Sequence, residues 1–357
     1  MHLPLPKIPG RAAASNASGR FEPLRREVVD DGWGEGDAVP APLKTSVTIE
    51  IPRTIITRNQ SPDVGFDRSI NPYRGCEHGC IYCYARPTHA YMGLSPGLDF
   101  ESRLFAKPDA AKLLEAELAK PGYQVRPIAL GTNTDPYQPI ERQYQITRQI
   151  LEVLWRFKHP VTITTKSNLV ARDADILSEM AKVNLARVAI SITSLDRRIA
   201  RSMEPRAPTP ERRLEGLRAL TDAGIPTFVM VAPVVPGLTD HELEAILERA
   251  AQAGAKSAAF IVLRMPLEIK ELVREWLEAN APNKAKRVIT LIRGMRGGKD
   301  NVSEFGDRMR GTGPYADMLR KRFDVAAARL GLNQERADLD CALFSPPKMV
   351  DPQLNLF

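Results

Sequence analysis

Six short apolar segments alternate with helical segments between residues 69 and 278, and this order restricts the fold more than any other feature of the sequence. The apolar segments lie at 69–72, 127–131, 161–165, 187–193, 227–232 and 258–263. The helical segments lie at 110–119, 141–157, 173–182, 210–223, 240–253 and 267–278. Strands joined in series through helices run parallel, with right-handed crossovers. The sequence therefore predicts an α/β fold, a partial (β/α)6 TIM-like barrel with fewer units than a complete one.

The chain divides into four parts by composition. Residues 1–43 are rich in Pro, Ala, Gly and charge, and predict an N-terminal arm that is disordered or wraps the surface. Residues 44–280 hold the barrel, and alternating β-branched residues at 45–57 predict an entry strand or hairpin. Residues 281–345 predict a basic helical C-terminal extension packed on the barrel, with helices around 285–295 and 315–330. Residues 346–357 form a tail rich in Pro and Leu.

Positive charge is concentrated in one segment. Lys and Arg outnumber Asp and Glu by seven in the 357 residues, and residues 284–322 alone hold eleven Lys or Arg against four Asp or Glu. This pattern is typical either of a solvated helix face or of a surface that binds a polyanion. The sequence contains no apolar run near the ~18 residues of a membrane helix and no signal-peptide core. We therefore expect a cytoplasmic protein with no membrane partner.

Three of the four cysteines lie within eight residues. Cys76, Cys80 and Cys83 occupy a glycine-bearing loop directly after the first predicted strand. A disulfide framework spreads its cysteines in pairs along a secreted chain, so this grouping indicates a metal centre instead. An iron–sulfur cube normally takes four cysteine ligands, and three ligands leave one iron open. An open position is what a catalytic metal needs.

A structural zinc site is the alternative for this loop. It requires a fourth ligand, and the candidates are His78, His89 and Cys341. Zinc-ribbon loops use paired CxxC knuckles, and a zinc ribbon does not account for six β–α units.

The loop resembles the radical SAM superfamily, in its CxxxCxxC spacing and in the aromatic residue at Tyr82. Over residues 47–345 the strand ends are similar to the branch that contains spore photoproduct lyase. The resemblance implies a 4Fe–4S cluster on Cys76, Cys80 and Cys83 and S-adenosylmethionine (SAM) as second cofactor. It implies reductive cleavage of SAM to a 5′-deoxyadenosyl radical, which abstracts hydrogen from a substrate. It further implies an electron donor of the flavodoxin or ferredoxin type.

The same resemblance assigns five residues at strand ends to SAM binding. They are Thr132, Asp135, Lys166, Ser191 and Arg206. Lys166 and Ser191 would contact SAM, Arg206 its carboxylate, and Asp135 or Thr132 its amine. Each has a plainer interpretation: Ser191 as a strand hydroxyl bonded to backbone, Lys166 as an ordinary ion-pair partner, and Asp135 as a turn cap before a proline.

Two tyrosines and two departures complete the comparison with the lyase. Tyr82 and Tyr84 flank Cys83 and match the tyrosines of the lyase's hydrogen-transfer relay. The superfamily's usual Gly-Gly-Glu stretch is replaced by Gly-Thr-Asn-Thr-Asp at 131–135. The lyase's hydrogen-donating cysteine has no counterpart at this strand end, and Cys341 is the spare thiol.

The C-terminal residues form a second motif. The sequence Gln353-Leu-Asn-Leu356-Phe357 resembles the QxxLF peptide with which bacterial replication and repair proteins dock on the sliding clamp. The alternative is that the same apolar side chains fix the C-terminus on the protein's own barrel.

Together these features predict a radical SAM enzyme whose leading substrate class is nucleic acid, in a DNA-repair-like reaction, bound through 284–322. The first alternative is radical modification of a protein or small molecule. The second is an Fe–S redox or sensor module without SAM chemistry.

Overall fold

The computed structural model describes residues 8–22, 24, 42–334 and 338–346. The strands are β1 (Ser46–Ile49), β2 (Ile56–Arg58), β3 (Arg68–Ile70), β4 (Tyr73–Arg74), β5 (Arg103–Ala106), β6 (Ile128–Leu130), β7 (Val161–Thr165), β8 (Ala186–Ser191), β9 (Thr227–Val234) and β10 (Ser257–Val262). The helices are α1 (Leu98–Ser102), α2 (Ala110–Leu118), α3 (Glu141–Tyr144), α4 (Ile146–Arg156), α5 (Ala174–Lys182), α6 (Arg197–Met203), α7 (Pro210–Asp222), α8 (Leu243–Gln252), α9 (Ile269–Asn280), α10 (Pro282–Gly294), α11 (Asp307–Arg310) and α12 (Pro314–Arg329).

Seven strands form the main sheet, in the order β10-β9-β8-β7-β6-β3-β2. β2 pairs antiparallel with β3, and every other neighbouring pair is parallel. The six parallel strands coincide with the six predicted segments, so the α/β prediction is confirmed. Within the described ranges β2 and β10 are the two edges of this sheet. A smaller sheet, in the order β1-β5-β4, lies next to the loop that carries the cysteines.

The prediction of an entry strand or hairpin at 45–57 is wrong, because these residues form neither one continuous strand nor a hairpin. The two halves of this segment, β1 and β2, belong to different sheets, since β1 pairs with β5 and β2 pairs with β3. Pro52 lies between them. Proline has no N–H group to continue a strand ladder, which explains why the pairing stops there.

The predicted helix at 141–157 is divided into α3 and α4 at Gln145, whose φ is 50°. The carboxylate of Glu141 accepts a hydrogen bond from the Thr147 N–H at 3.1 Å. That N–H belongs to the first turn of α4 and has no partner within the helix, so Glu141 satisfies it. Arg172 holds the same carboxylate at 2.8 Å.

Helix α7 shows how the sequence sets the helix boundaries. Thr209 accepts a hydrogen bond from the Arg212 N–H at 3.4 Å, and Pro210 occupies the first turn. Both features are typical of a helix N-terminus. Leu214, Leu217 and Leu220 form the buried stripe that packs into the core.

The C-terminal helices contact the barrel. Helix α10 packs on α9 and α12 on α8. The rings of Phe323 on α12 and Phe260 on β10 have centroids 4.9 Å apart. The described helices include none that is long and apolar enough to cross a membrane.

Residues 8–22 of the arm lie along the barrel surface. Ala12 and Ala13 donate their N–H groups to the Glu101 carboxylate at 3.1 and 3.0 Å. The Ser15 hydroxyl donates to Glu275 at 2.7 Å. This part of the arm therefore has the surface-wrapping arrangement. The predicted motif at 353–357 lies outside the described residues.

Gly131, directly after β6, provides a test of this architecture. Its φ is +84°, and a Cβ atom there would lie 1.9 Å from the Thr164 carbonyl oxygen on β7. We expect Gly131→Ala to lower the free energy of unfolding by about 3 kcal/mol or more, because a left-handed penalty and a backbone clash act together. Urea unfolding of the full chain measures this loss.

Gly122→Ala is the matched control. Gly122 has φ +78°, and nothing lies within 4 Å of its added Cβ atom. It should lose only the left-handed penalty, about 1 kcal/mol. Equal losses in the two variants would mean that β6 and β7 do not approach each other as described.

Candidate functional site

The three clustered cysteines lie on the loop that follows β3, at the carboxyl edge of the parallel strands. Cys76 and Cys80 are buried and Cys83 is half-buried. The thiols are close enough to interact electrostatically with one another. Burial raises the pKa of Cys76 well above its ordinary value and that of Cys80 to about 12. Binding of a metal to these side chains must therefore displace protons.

A fully buried arginine holds this loop. Arg86 lies in the short 3₁₀ segment Arg86–Met92 and donates hydrogen bonds to four backbone carbonyl groups. They are those of Gly79, Cys80, Pro96 and Gly97, at 2.8–3.0 Å. Its fifth hydrogen bond goes to the Glu101 carboxylate at 2.5 Å. A Cβ atom on Gly79 would lie 2.7 Å from that carboxylate, so the loop requires glycine there.

The loops after other strands fix the two ends of the cysteine loop. Gln138 follows β6, accepts from the Glu77 N–H at 2.9 Å and donates to the Gly75 carbonyl at 3.1 Å. The Ile81 N–H donates to the Met203 carbonyl at 3.0 Å, at the end of α6. The backbone around the thiols is therefore positioned by hydrogen bonds that involve none of the sulfur atoms.

Asp135 joins the loop to the ends of β6 and β7. Its carboxylate accepts hydrogen bonds from the Thr165 hydroxyl at 2.6 Å and the Lys166 N–H at 2.8 Å, and His78 Nδ1 lies 3.3 Å away. Burial would raise the pKa of Asp135, but His78 and these hydrogen bonds outweigh burial and lower it to about 2. The carboxylate also accepts from the Tyr137 N–H at 2.9 Å, which is the turn contact of the plainer interpretation.

A buried carboxylate, Glu204, lies beneath the cysteine loop. It pairs with Arg213 and accepts hydrogen bonds from the hydroxyls of Tyr82 and Thr193. Burial would raise the pKa of Glu204, but Arg213 and Lys166 outweigh burial and lower it to about 2. Tyr82 is thus held by an ionised carboxylate, with its hydroxyl directed toward Glu204.

Lys166 lies between the thiols and Glu204. Its ammonium nitrogen is 5.7 Å from the centroid of the Tyr82 ring and interacts electrostatically with Cys80 and Glu204. Burial would lower the pKa of Lys166, but Cys80 and Glu204 outweigh burial and raise it. Among the described residues the ammonium has no ion-pair partner within 4 Å, so a charged amine faces the cysteine loop.

The other predicted SAM residues have protein partners. The Ser191 hydroxyl donates to the Ala232 carbonyl at 3.2 Å. Arg206, about one-third exposed, lies 3.1 Å from the Glu77 carboxylate. The Thr132 carbonyl accepts the Tyr84 hydroxyl hydrogen bond. The Thr132 hydroxyl lies 3.5 Å from the side-chain oxygen of Asn71, which is a long and weak hydrogen bond. This hydroxyl can therefore also bind a ligand.

The candidates for a fourth zinc ligand lie elsewhere. His78 faces Asp135, and His89 is buried with Nε2 3.0 Å from the Arg103 carbonyl. Cys341 interacts electrostatically with Arg68, the first residue of β3, and therefore lies at the amino edge of the sheet. In residues 8–22, 24, 42–334 and 338–346, no three His, Cys, Asp or Glu side chains are placed to hold a single metal ion.

Glu204 and Arg213 are site residues that the sequence reasoning missed. Arg213 carried a signal, because it lies on the apolar stripe of α7 among buried leucines. A charged residue on such a stripe needs a buried partner. Glu204 had no comparable signal, since it follows α6 in an irregular segment.

Comparison with known proteins agrees with the geometry. Residues 70–250 match the family model of the Radical SAM superfamily. An uncharacterized protein of Mycobacterium tuberculosis is 37% identical to this chain over 230 residues, which are 64% of this chain and 68% of that protein.

Solved structures of spore photoproduct lyase have a similar fold. One variant superposes with a TM-score of 0.60 at 16% identity, covering 86% of this chain and 88% of that chain. Another variant was solved with bound AdoMet, which is SAM, and dinucleoside spore photoproduct. It superposes with a TM-score of 0.53 at 16% identity, and the match covers 80% of each chain.

The residues of the cysteine loop fit the cluster that this family implies. Three thiols on one pinned loop supply the soft ligands that iron–sulfur clusters take. In such a cluster each of the three thiolates would hold a different iron, so the thiols need not converge on one point as they would around a single ion. Lys166 adds positive charge beside the thiols, which favours an anionic cluster.

Alanine substitution tests the ligand set. We expect Cys76→Ala, Cys80→Ala and Cys83→Ala to lose most of the iron bound after anaerobic reconstitution, because two thiolates cannot hold the cube. Cys341→Ala should keep about four iron atoms per chain, because its thiol lies at the other edge of the sheet. Iron and sulfide analysis of the purified variants measures this, and equal losses in Cys341→Ala and Cys80→Ala would refute the assignment.

Proposed function

Because the chain belongs to the radical SAM superfamily and performs SAM-dependent radical chemistry, we propose that Cys76, Cys80 and Cys83 hold its 4Fe–4S cluster and that its substrate is nucleic acid. The observation that carries the cofactor assignment is the unpaired Lys166 ammonium beside three clustered thiols, two of them buried. When bound, the cluster supplies the electron that cleaves SAM to a 5′-deoxyadenosyl radical, which takes hydrogen from the substrate. In this proposal a flavodoxin- or ferredoxin-type protein reduces the cluster.

The residues around the loop have distinct roles in this proposal. Lys166 contacts SAM through its ammonium group. Arg206 binds the SAM carboxylate through its exposed guanidinium group. We place the SAM amine at the Thr132 hydroxyl, because the Asp135 carboxylate already accepts from Thr165, Lys166 and Tyr137. Ser191 is assigned to the same pocket, although its hydroxyl has a backbone partner.

The two tyrosines of the predicted relay have different roles in this proposal. Tyr82 is buried and its hydroxyl is directed to Glu204, so it positions the pocket. The Tyr84 ring is 52% exposed, at the carboxyl edge of the sheet. A bound substrate can therefore reach Tyr84, and we propose that Tyr84 passes hydrogen to or from it.

SAM affinity tests the two cationic residues. We expect Lys166→Met and Arg206→Met each to weaken SAM binding ~10- to 100-fold, because each removes a charge-assisted contact of about 1.5–3 kcal/mol. Equilibrium dialysis with cluster-loaded protein measures the dissociation constant, and the iron content of each variant is matched first.

Arg212→Met is the control for this experiment. Arg212 is exposed and pairs with Glu215 at 2.8 Å, so its loss should leave SAM affinity unchanged. If Lys166→Met and Arg206→Met both bind SAM as the unmodified chain does, the two assignments are wrong.

Exposed cations on and after α10 support a nucleic-acid substrate. Five of the eleven cations in 284–322 are buried or paired with protein groups, among them Arg308 with Asp63 and Arg322 with Glu244. The other six are exposed and have no ion-pair partner among the described residues: Lys284, Lys286, Arg287, Lys299, Arg310 and Lys321. Such a set binds phosphates electrostatically. The bound dinucleoside spore photoproduct in a structure of similar fold points to the same class of substrate.

Salt dependence tests this surface. We expect duplex DNA binding to fall with salt at a slope of about −0.9 per phosphate neutralised. Lys284→Glu combined with Lys286→Glu should weaken binding and reduce that slope by about 2. The control is Lys112→Glu combined with Lys120→Glu. It changes the net charge of the protein by the same amount, but at α2, and should have little effect on DNA binding. Fluorescence anisotropy at several salt concentrations measures both.

If the two double variants bind DNA equally, binding depends on the net charge of the protein and not on Lys284 and Lys286. No binding to DNA or RNA at low salt would move the substrate to a protein or small molecule.

For the tail we propose docking on the bacterial sliding clamp through Gln353, Leu356 and Phe357. Short peptide anchors place a few apolar side chains in pockets, and we expect a dissociation constant in the micromolar range, about −8 kcal/mol. Truncation after Pro352 should abolish binding to purified clamp in surface plasmon resonance and leave iron content and SAM cleavage unchanged. If the full chain does not bind the clamp and truncation lowers the melting temperature, the tail docks on its own barrel instead.

A further inference from the structure

Arg264, which follows β10, and Arg296, which follows α10, lie close together. Arg296 is 2% exposed and donates a hydrogen bond to the Leu263 carbonyl at 3.1 Å. Arg264 is half-buried, and its Nη1 contacts the sulfur atom of Met309 at 3.8 Å. The two guanidinium groups are close enough to repel each other electrostatically. Burial lowers the pKa of Arg296 to about 10, and the charge of Arg264 adds to this effect.

These guanidinium groups are incompletely satisfied. Among the described residues, Nε and Nη1 of Arg296 and Nε of Arg264 are buried without a hydrogen-bond partner. Asp63 interacts electrostatically with Arg264 but is already engaged, because it accepts from the Gly306 N–H at 2.7 Å and pairs with Arg308. Buried charged donors are normally hydrogen-bonded, and an unpaired buried charge is strongly unfavourable. In the described part of the chain, three N–H groups of this pair therefore lack the protein partner that a buried charged donor normally has.

The position of the pair relates it to the chemistry. Arg264 follows β10 at the carboxyl edge of the parallel strands, the edge that also carries the cysteine loop. It interacts electrostatically with Tyr84, the exposed ring next to Cys83. The short helix α11 contacts β10, and its Met309 contacts Arg264.

We propose that Arg264 and Arg296 form an oxyanion site that binds a phosphate group of the substrate beside Tyr84. Guanidinium groups bind planar or tetrahedral oxyanions through paired N–H donors, which lysines cannot do. The site rests on the proposed function for the class of substrate, and it is distinct from the exposed lysines on α10. An anion bound there offsets the electrostatic repulsion between the two guanidinium groups.

Binding of small anions tests the site without any turnover. The probes are inorganic phosphate, dimethyl phosphate and acetate, titrated calorimetrically into the cluster-loaded full chain at constant ionic strength. We expect phosphate to bind and to raise the melting temperature. Arg296→Met and Arg264→Met should each weaken phosphate binding at least ~10-fold, because each removes a charge-assisted contact.

The stability of Arg296→Met separates a ligand site from a structural role. If Arg296 awaits an anion, the variant should melt in phosphate-free buffer at the same temperature as the unmodified chain or higher, because an unpaired buried charge is gone. Phosphate should then no longer raise its melting temperature. A variant that melts lower and still responds to phosphate would overturn the proposal. Arg293→Met, an exposed α10 arginine paired with Asp300, should keep the full response.

The anion series distinguishes the substrate from the site. Dimethyl phosphate binding better than acetate supports a phosphodiester substrate. Preference for acetate keeps the oxyanion site but overturns the phosphate assignment. Failure of every anion to bind overturns the site itself, and it leaves SAM cleavage and DNA affinity, measured separately, to decide the proposed function.

Discussion

The buried ion pair between Arg86 and Glu101 is the interaction on which the arrangement of the site depends. Removing two charges from water is expensive, and the attraction between them compensates only if their remaining hydrogen-bonding groups are also satisfied. Here they are, because Arg86 also reaches four carbonyls and Glu101 also accepts from Ala12 and Ala13. Loss of one partner from such a pair typically destabilises a protein by about 3–5 kcal/mol. The conformation of the cysteine loop is therefore enforced by a network that contains none of the cysteines' sulfur atoms.

A second buried pair repeats this logic on the other side of the loop. Glu204 and Arg213 connect the end of α6 to the buried face of α7, and Tyr82 is attached to them through its hydroxyl. The two pairs carry no net charge, so they add rigidity without changing the electrostatic balance of the pocket. Lys166 does add net charge, and it is the group to which an anionic ligand or cluster would respond.

Much of this architecture could be predicted from the sequence, because local patterns determine it. The six parallel strands and the cysteine spacing are local, as are the proline and threonine that begin α7. The break at Gln145 could not be predicted, since it depends on Glu141 binding the N–H of Thr147 and the side chain of Arg172, 31 residues away. The charge count of 284–322 misleads for the same reason. It cannot reveal that Arg322 is paired with Glu244 on α8 or that Arg296 is buried.

The hydrogen bonds of the N-terminal arm have a consequence for the order in which this protein can mature. The arm is synthesised first, yet Ala12 and Ala13 bind Glu101 in the first β–α unit, and Ser15 binds Glu275 on α9 in the last. These contacts cannot be completed until translation has passed residue 275. The Ser15–Glu275 contact therefore forms only after the whole cysteine loop has been synthesised, whereas the contacts of Ala12 and Ala13 with Glu101 can form much earlier.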